Sequence, residues 1–497
     1  MIEKILFIDI DVERDQGSTS QYRAQHPIGL MYLAAATKKE YPDIQSKIFH
    51  TAVSHQPLQE LESIVRAFKP DLIGLRALSK AQTQFHKVIE KLTEIGGTRY
   101  VIAGGPYPSS SCKEILQLPM IDLVVLGEGE ATLIDLLGRL RKTEVIPPDV
   151  EGTAVMVDGI LRVNSPRAPI MDIDSIPFPD YSLIAFEDYA GISNSAHHDV
   201  PEYALICSSR GCPYQCIYCH KLFGKKVRRR SAKNVVEEMR TRIEQNDIRT
   251  FVFTDDIFNV PMDAAKETLA LIAKELPPVQ LCFPNGLRSD HLDTELLDHF
   301  ERAGTTTMAL AVETATPRLQ KLIGKNLNLE KAKRGIKEAS ERFAVTAFFI
   351  IGFPTETMEE AKRTIEFAKE LDCLVDPLIS ILRVYENTPL FKILNPTPEQ
   401  IEGLRHQELA KTELEIFAEP NFYGNLFSKD KVPLKGNDIK QLGMEWFSEV
   451  INNKNRIKKS YSILQKHFTQ KQIIKYYQNI YNNSSFNENT LKALVSD

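Results

Sequence analysis

Short apolar runs alternate with stretches of helical apolar spacing along most of this chain. In the first section the runs are ILFIDI (5–10), SKIFHTA (46–52), DLIGLRAL (71–78), YVIAGG (100–105) and IDLVVLGE (121–128). Between them, LQELESIVRAF and TQFHKVIEKLTEI place apolar residues on one helical face. Strands separated by helices predict a doubly wound parallel sheet covered on both faces. The ligand crevice of such a sheet lies outside the carboxyl ends of its strands. Gly104, Gly105 and Gly127 fall there, and glycine lets a flat or bulky ligand approach the backbone.

From about residue 150 the pattern changes to short β-like pieces and prolines, GTAVMVDGILRV and then IPFPDYSLI, which predict a linker with a hairpin. A second alternation begins at Tyr203. Its runs are YALICSS (203–209), TFVFTDD (250–256), VQLCFPNGL (279–287), TTMALAVE (306–313), TAFFIIGF (346–353) and PLISILRVY (377–385), with helical segments between them. Six such units predict a partial (β/α)6 barrel with its chemistry on the loops after the strands. The last hundred residues read as helical, broken by asparagines near NIYNNSSFNEN. The expected division is an α/β domain over 1–149, a linker over 150–198, the barrel over 199–395 and a helical region over 396–497. Between Ile451 and Ile480 that region carries seven Lys and Arg and no acid, which reads as a solvated face or as a dock for an acidic peptide.

Composition narrows the partners. A formal charge of -5 provides no overall basic field, so no nucleic-acid partner is expected. No apolar stretch is long enough to span a bilayer, so no membrane partner is expected either. The opening MIEKILFIDIDVERD is broken by acids and reads as neither a secretion signal nor a transit peptide, which points to the cytoplasm. Seven cysteines are an odd number, and three of them crowd into eight residues, a poor disulfide framework and a good metal signature.

Those three form Cys212-Pro-Tyr-Gln-Cys216-Ile-Tyr-Cys219, just after the first barrel strand. Three thiolates on one loop can hold three irons of a [4Fe–4S] cube. With no fourth cysteine in the loop, one iron stays open to chelate the amino and carboxylate groups of S-adenosylmethionine. One electron then breaks the sulfonium C–S bond and yields a 5′-deoxyadenosyl radical. The competing reading is a structural zinc site completed by His220, but zinc motifs usually pair ligands from two knuckles, and no second knuckle appears.

The CxxxCxxC loop, with Tyr218 before its last cysteine, resembles the defining motif of the radical S-adenosylmethionine enzymes. GKKVRRRSAKNVVEEM, FTDDIFN, NGLRSD, ALAVETAT and IIGFPTETMEEAKRTIEFAKEL resemble the branch with a cobalamin-binding-type N-terminal domain. So do HPIGLMYLAAA, VIAGGPYPSS and DLVVLGEGEATLIDLL. The likeness spans about residues 1–395. It implies that Asp255 and Asp256 meet the amino group of S-adenosylmethionine, unless they cap a helix. It further implies that Glu313 meets the ribose or methionine end, and that Gly352 and Pro354 shape the adenine turn. Arg288 would meet the carboxylate or pair with Asp290. Arg383 and Tyr385 would face substrate or close the barrel.

The DxHxxG signature for a histidine ligand to cobalt is missing, and neither His50 nor His86 sits in that context. The resemblance nevertheless implies cobalamin, with Ser79 and Lys80 toward its lower face and Gly104, Gly105 and Gly127 around its nucleotide tail. The alternative is an inherited domain that binds nothing. With cobalamin, the expected reaction is methylation of an unactivated carbon. Without it, the expected reaction is peptide epimerisation with Cys282 or Cys373 as hydrogen donor, although each also reads as a small buried hydrophobe. A non-catalytic cobalamin or iron–sulfur sensor is the remaining class. The implied partners are a small-molecule or peptide substrate and an electron donor such as flavodoxin or ferredoxin.

Overall fold

The computed structural model describes residues 2–12, 24–189, 202–220, 223–386, 388–406, 423–481 and 485–495. The end of the expected linker and the start of the expected barrel segment (190–201) lie outside the described residues. So do positions 407–422 of the expected helical region and 482–484 of the asparagine-rich break. The chain forms two compact units, one drawn chiefly from residues 2–189 and one from residue 202 onward.

The first unit is built on β1 (Lys4–Ile10), β2 (Gln45–His50), β3 (Leu72–Ala77), β4 (Tyr100–Gly104), β5 (Leu123–Val125), β6 (Thr153–Val157) and β7 (Ile160–Val163). Their order across the sheet is β2-β1-β3-β4-β5-β6-β7. The first five strands run parallel. Ile5, Leu6, Phe7, Ile8 and Ile10 are all buried, so β1 is apolar almost without interruption, as expected of a strand with both faces covered. The β6–β7 hairpin, expected in a linker, instead pairs antiparallel with β5 and extends the sheet. Pairing satisfies the backbone groups that β5 would otherwise leave at a bare edge. The proline-rich stretch that follows also packs within this unit. Ile170 N–H donates to Glu128 Oε2 at 2.8 Å, and Lys38 pairs with Asp180 at 3.1 Å. The rings of Tyr181, Phe186 and Tyr189 meet the His26 imidazole edge-on, with centroids at 5.8, 5.6 and 4.5 Å.

The second unit contains β8 (Ala204–Ile206), a two-residue ladder of β9 (Ser209–Arg210) and β10 (Arg228–Arg229), then β11 (Thr250–Phe253), β12 (Gln280–Arg288), β13 (Thr305–Glu313), β14 (Ala344–Ile351) and β15 (Asp376–Ile381). Six parallel strands lie in the order β15-β14-β13-β12-β11-β8. Strands adjacent in sequence are adjacent in the sheet, the arrangement of a partial (β/α)6 barrel. Phe253, Phe258, Phe283 and Phe300 stack successively in its core, with centroids 4.7–5.9 Å apart.

The C-terminal helices Lys454–His467, Gln470–Ile480 and Glu488–Val495 belong to this unit and share a core built on Ile457, Leu464, Ile473, Tyr477 and Leu491. They dock at the amino ends of β14 and β15. Arg456 donates to the carbonyls of Leu374 and Val375 at 2.9 Å, and the Tyr476 hydroxyl donates to Val375 O at 2.7 Å. Lys459 pairs with Asp372, and Lys466 donates to Glu341 O at 2.9 Å. These basic side chains are therefore engaged by the barrel, which weakens the reading of this face as a peptide dock. Among the described residues no helix is long and apolar enough to cross a membrane.

Candidate active site

In the second unit, Cys212, Cys216 and Cys219 share one loop at the carboxyl ends of the strands. Gly211 opens it with φ near 91°, a left-handed conformation that favours glycine, and its N–H donates to Asp256 Oδ2 at 2.9 Å. Ile217 is held on both sides. Its N–H donates to Ile323 O, and its carbonyl accepts from Leu390 N–H, each at 2.9 Å. The Arg288 guanidinium lies over the Tyr214 ring at 4.0 Å.

The Cys212 thiol is pushed above its ordinary value by burial, and a charge on Cys216 pushes the same way. Neighbouring thiolates that oppose one another are stabilised by a cationic centre, so this donor set fits an iron–sulfur cube. Among the described residues no three His, Cys, Asp or Glu side chains converge tightly enough for a single ion. All seven cysteines are free thiols.

Two acids follow β11 and differ in their surroundings. Asp255 is buried and accepts from Ser208 N–H at 3.2 Å, from the Ser208 hydroxyl at 2.7 Å and from the Ser209 hydroxyl. It ties β11 to the end of β8. Asp256 is exposed beside the cysteine loop. Glu313 ends β13 with φ near 71°, an uncommon conformation for a non-glycine residue. It pairs with Lys325 at 2.7 Å, and its charge adds to burial in raising the Tyr218 hydroxyl above its ordinary value.

Arg288 takes the second of its two expected roles. Its Nε donates to Asp290 at 2.6 Å, and its other nitrogens donate to Asp290, Lys325 O and Asn326 O. A guanidinium so engaged supports the loop. Arg383 and Tyr385 lie beyond the end of β15, on a loop where Val384 N–H donates to the Tyr423 hydroxyl at 3.2 Å.

The two proposed hydrogen donors lie toward the opposite end. Cys282 is the third residue of β12, buried beside Thr306. β12 bulges between Phe283 and Leu287, so Cys282 pairs with Thr307 and Arg288 with Ala311, an advance of four residues of β13, or ~13 Å at ~3.3 Å per residue. Cys373 precedes β15 and donates to Asp372, itself paired with Lys459 of the C-terminal helices. Cys282 thus lies below the carboxyl end of β12, level with Val252, and Cys373 lies at the amino side of β15.

The turn after β14 contains a residue that sequence reading missed. Gly352 has φ near 89°, and the N–H groups of Gly352 and Phe353 both donate to Glu356 Oε2, at 2.5 and 3.0 Å. Glu356 is fully buried, and Oε1 of its carboxyl has no hydrogen-bond partner. Burial pushes this carboxyl up to about 8, against the two backbone donors that favour its charge. A raised acid stabilises the fold fully below its ordinary value and loses that contribution as pH rises through the folded value. The wild type is therefore expected to lose stability between about pH 5 and pH 8 relative to Glu356→Gln, by on the order of 3 kcal/mol. Chemical denaturation of both proteins across that range measures the difference; parallel curves would refute it.

In the first unit, the strand order reverses between β1 and β3, where a doubly wound sheet opens its crevice. Paired charges fill this switch point. Arg76 meets Asp9 at 2.7 Å, and Lys80 meets Asp11 at 2.7 Å. Ser79 begins the short turn after β3. His50 is buried with Nδ1 3.1 Å from the Tyr189 hydroxyl, so one of its nitrogens is already engaged. Gly104 ends β4, and Gly105, with φ near 86°, packs on the Arg76 side chain. Gly127 also has positive φ, near 80°, but a Cβ there would meet nothing within 4 Å. Gly127 itself is exposed.

The radical SAM superfamily model matches residues 206–368, and the B12 binding domain model matches residues 20–137. An uncharacterized methyltransferase of Pyrococcus horikoshii is 30% identical over 351 residues, covering 70% of this chain and 73% of that protein. The anaerobic magnesium-protoporphyrin IX monomethyl ester cyclase of Rubrivivax gelatinosus is 26% identical, covering 69% and 62%. The cytidylyl-2-hydroxyethylphosphonate methyltransferase of Streptomyces wedmorensis is 28% identical, covering 70% and 74%. In fold, the chain resembles the structure of the cobalamin-dependent S-adenosylmethionine radical enzyme OxsB with aqua-cobalamin and S-adenosylmethionine bound. The TM-score is 0.66 at 15% identity, covering 97% of this chain and 71% of that one.

Proposed function

This chain belongs to the radical S-adenosylmethionine superfamily, in the methyltransferase-type branch with a B12-binding domain, and from that premise we propose that it methylates an unactivated carbon of a small molecule. The observation that carries the reading is the three-thiol loop held at the carboxyl ends of a six-strand parallel barrel in a chain that also carries a B12-binding domain. Cys212, Cys216 and Cys219 hold the cluster. When bound, the cluster supplies one electron for cleavage of S-adenosylmethionine, and cobalamin supplies a carrier for the methyl group.

The protein positions these groups. Asp256, exposed beside the loop, accepts the ammonium of S-adenosylmethionine, while Asp255 fixes the serine pair behind it. Glu313 and the Gly352 turn line the ribose and adenine side. Arg383 and Tyr385, on the loop after β15, face substrate. Ser79, Gly104, Gly105 and Gly127 line the corrin crevice. Flavodoxin or ferredoxin serves as electron donor. The epimerase alternative finds no support among the relatives described above, none of which bears an epimerase's name.

The test is anaerobic purification with hydroxocobalamin, followed by cofactor extraction and reaction with a chemical reductant. Near-stoichiometric cobalamin with release of both 5′-deoxyadenosine and S-adenosylhomocysteine is expected. Release of 5′-deoxyadenosine without bound cobalamin would overturn the methyl-transfer reading. A second expectation tests the crevice. Gly127→Val should lower cobalamin retention by about tenfold or more, within the range found when groups supporting a bound centre are changed, and leave cluster iron unchanged. Equal retention would remove Gly127 from the site.

A further inference from the structure

The turn between Ile323 and Asn326 meets the cysteine loop at several independent points, all within the second unit. Ile323 supplies the carbonyl that receives Ile217 N–H. Gly324, with φ near 70°, lies so close to the loop that a Cβ there would stand 2.5 Å from Gln215 O. That neighbour is backbone one residue before Cys216, so no side-chain rotation relieves the contact. The carbonyls of Lys325 and Asn326 hold the Arg288 guanidinium that stacks on Tyr214, between Cys212 and Cys216. Lys325 also extends its side chain to Glu313 at the end of β13, with both side chains buried. The intervals on either side of Cys216 are thus each anchored to one short turn.

From this convergence, which rests on the reading of the three cysteines as cluster ligands, we propose that the Ile323–Asn326 turn is a clamp that sets the cluster loop, and that Lys325 is its positioning residue. The physical reason is the burial of the Lys325–Glu313 pair. Removing one partner leaves an uncompensated charge beside the loop, a far larger disturbance than loss of an exposed pair. Lys325 touches neither substrate nor iron in this scheme. It holds Glu313 at the end of β13, while the carbonyls of its own turn hold Ile217 and Arg288, so the loop on either side of Cys216 is set against the barrel.

The test compares reconstituted wild type with Lys325→Met, Lys325→Arg and Gly324→Ala. The readouts are the rate of iron loss to a ferrous chelator and the electron paramagnetic resonance spectrum of the reduced cluster with and without S-adenosylmethionine. Lys325→Met and Gly324→Ala should lose iron about tenfold faster or more, as is typical when groups that orient metal ligands are removed. Their reduced spectra should differ from wild type, and Lys325→Arg should restore both readouts toward it. A general packing defect would not be rescued by retaining the charge. Wild-type iron loss and an unchanged spectrum in Lys325→Met would overturn the clamp, even if Gly324→Ala failed to fold. Failure of the wild type to take up any cluster would instead overturn the ligand reading, and the clamp with it.

Discussion

Cys216→Ala is expected to remove the cluster and, with it, cleavage of S-adenosylmethionine. Cys216 is the middle ligand of the proposed set, and its neighbours are bonded to the barrel from two sides, through Ile323 and Leu390. The loop has no spare cysteine to move into the gap, since Cys207 precedes β9 and donates to Ser209 O within its own turn. Two thiolates leave a further iron open, and an incompletely ligated cube is readily lost. The expected loss exceeds about a hundredfold, beyond the usual effect of changing a group that merely supports a ligand. Iron and sulfide per chain after anaerobic reconstitution, together with 5′-deoxyadenosine release, measure it. Cys282→Ala and Cys373→Ala serve as the matched comparison and should retain both, because those thiols lie toward the amino ends of the strands. A thiol-dependent epimerase would show the reverse pattern in one of them, with the cluster intact and turnover lost.

Arg456→Ala is expected to detach the C-terminal helices and lower stability by about 3 kcal/mol or more, because hydrogen bonds from a charged donor to buried acceptors contribute more than neutral ones. Arg456 is 4% exposed. It donates to Val450 O and Ile451 O on its own side and to Leu374 O and Val375 O at the entrance to β15. Alanine leaves these carbonyls without that donor and opens a space between helix and barrel. Thermal unfolding followed by circular dichroism should show a lower midpoint or a separate early transition for the helices. At temperatures where the barrel remains folded, iron binding should persist, since this contact lies at the amino ends of the strands. A midpoint within a degree of wild type would show that the helices are held by apolar packing alone.

The fold was largely legible because parallel strands buried on both faces leave continuous apolar runs. Every run named in the second alternation overlaps one of β8, β11, β12, β13, β14 and β15 to within two residues at its start. The β6–β7 hairpin shows where that legibility ends. Its sequence predicts two strands and a turn, but whether they pair with β5 depends on an edge contributed thirty residues earlier. The basic C-terminal segment shows the same limit. A run of lysines and arginines reads identically whether the charges face water, a peptide or backbone carbonyls of the same chain.

Within the site, the cysteine loop was evident from spacing because its ligands lie close together in sequence. Glu356 and Lys325 carried no comparable signal. An acid in a turn and a lysine after a glycine are ordinary surface residues until their surroundings are known. Arg288 could be read two ways, and only its bonds to Asp290, Lys325 and Asn326 decide between them. The sequence alone determined what depends on local order, namely the strand–helix alternation, the two α/β units and the three thiols on one loop. The tertiary structure decided which charges are paired and which thiols lie far from the loop, because those properties depend on segments distant in sequence meeting in a medium of low polarity.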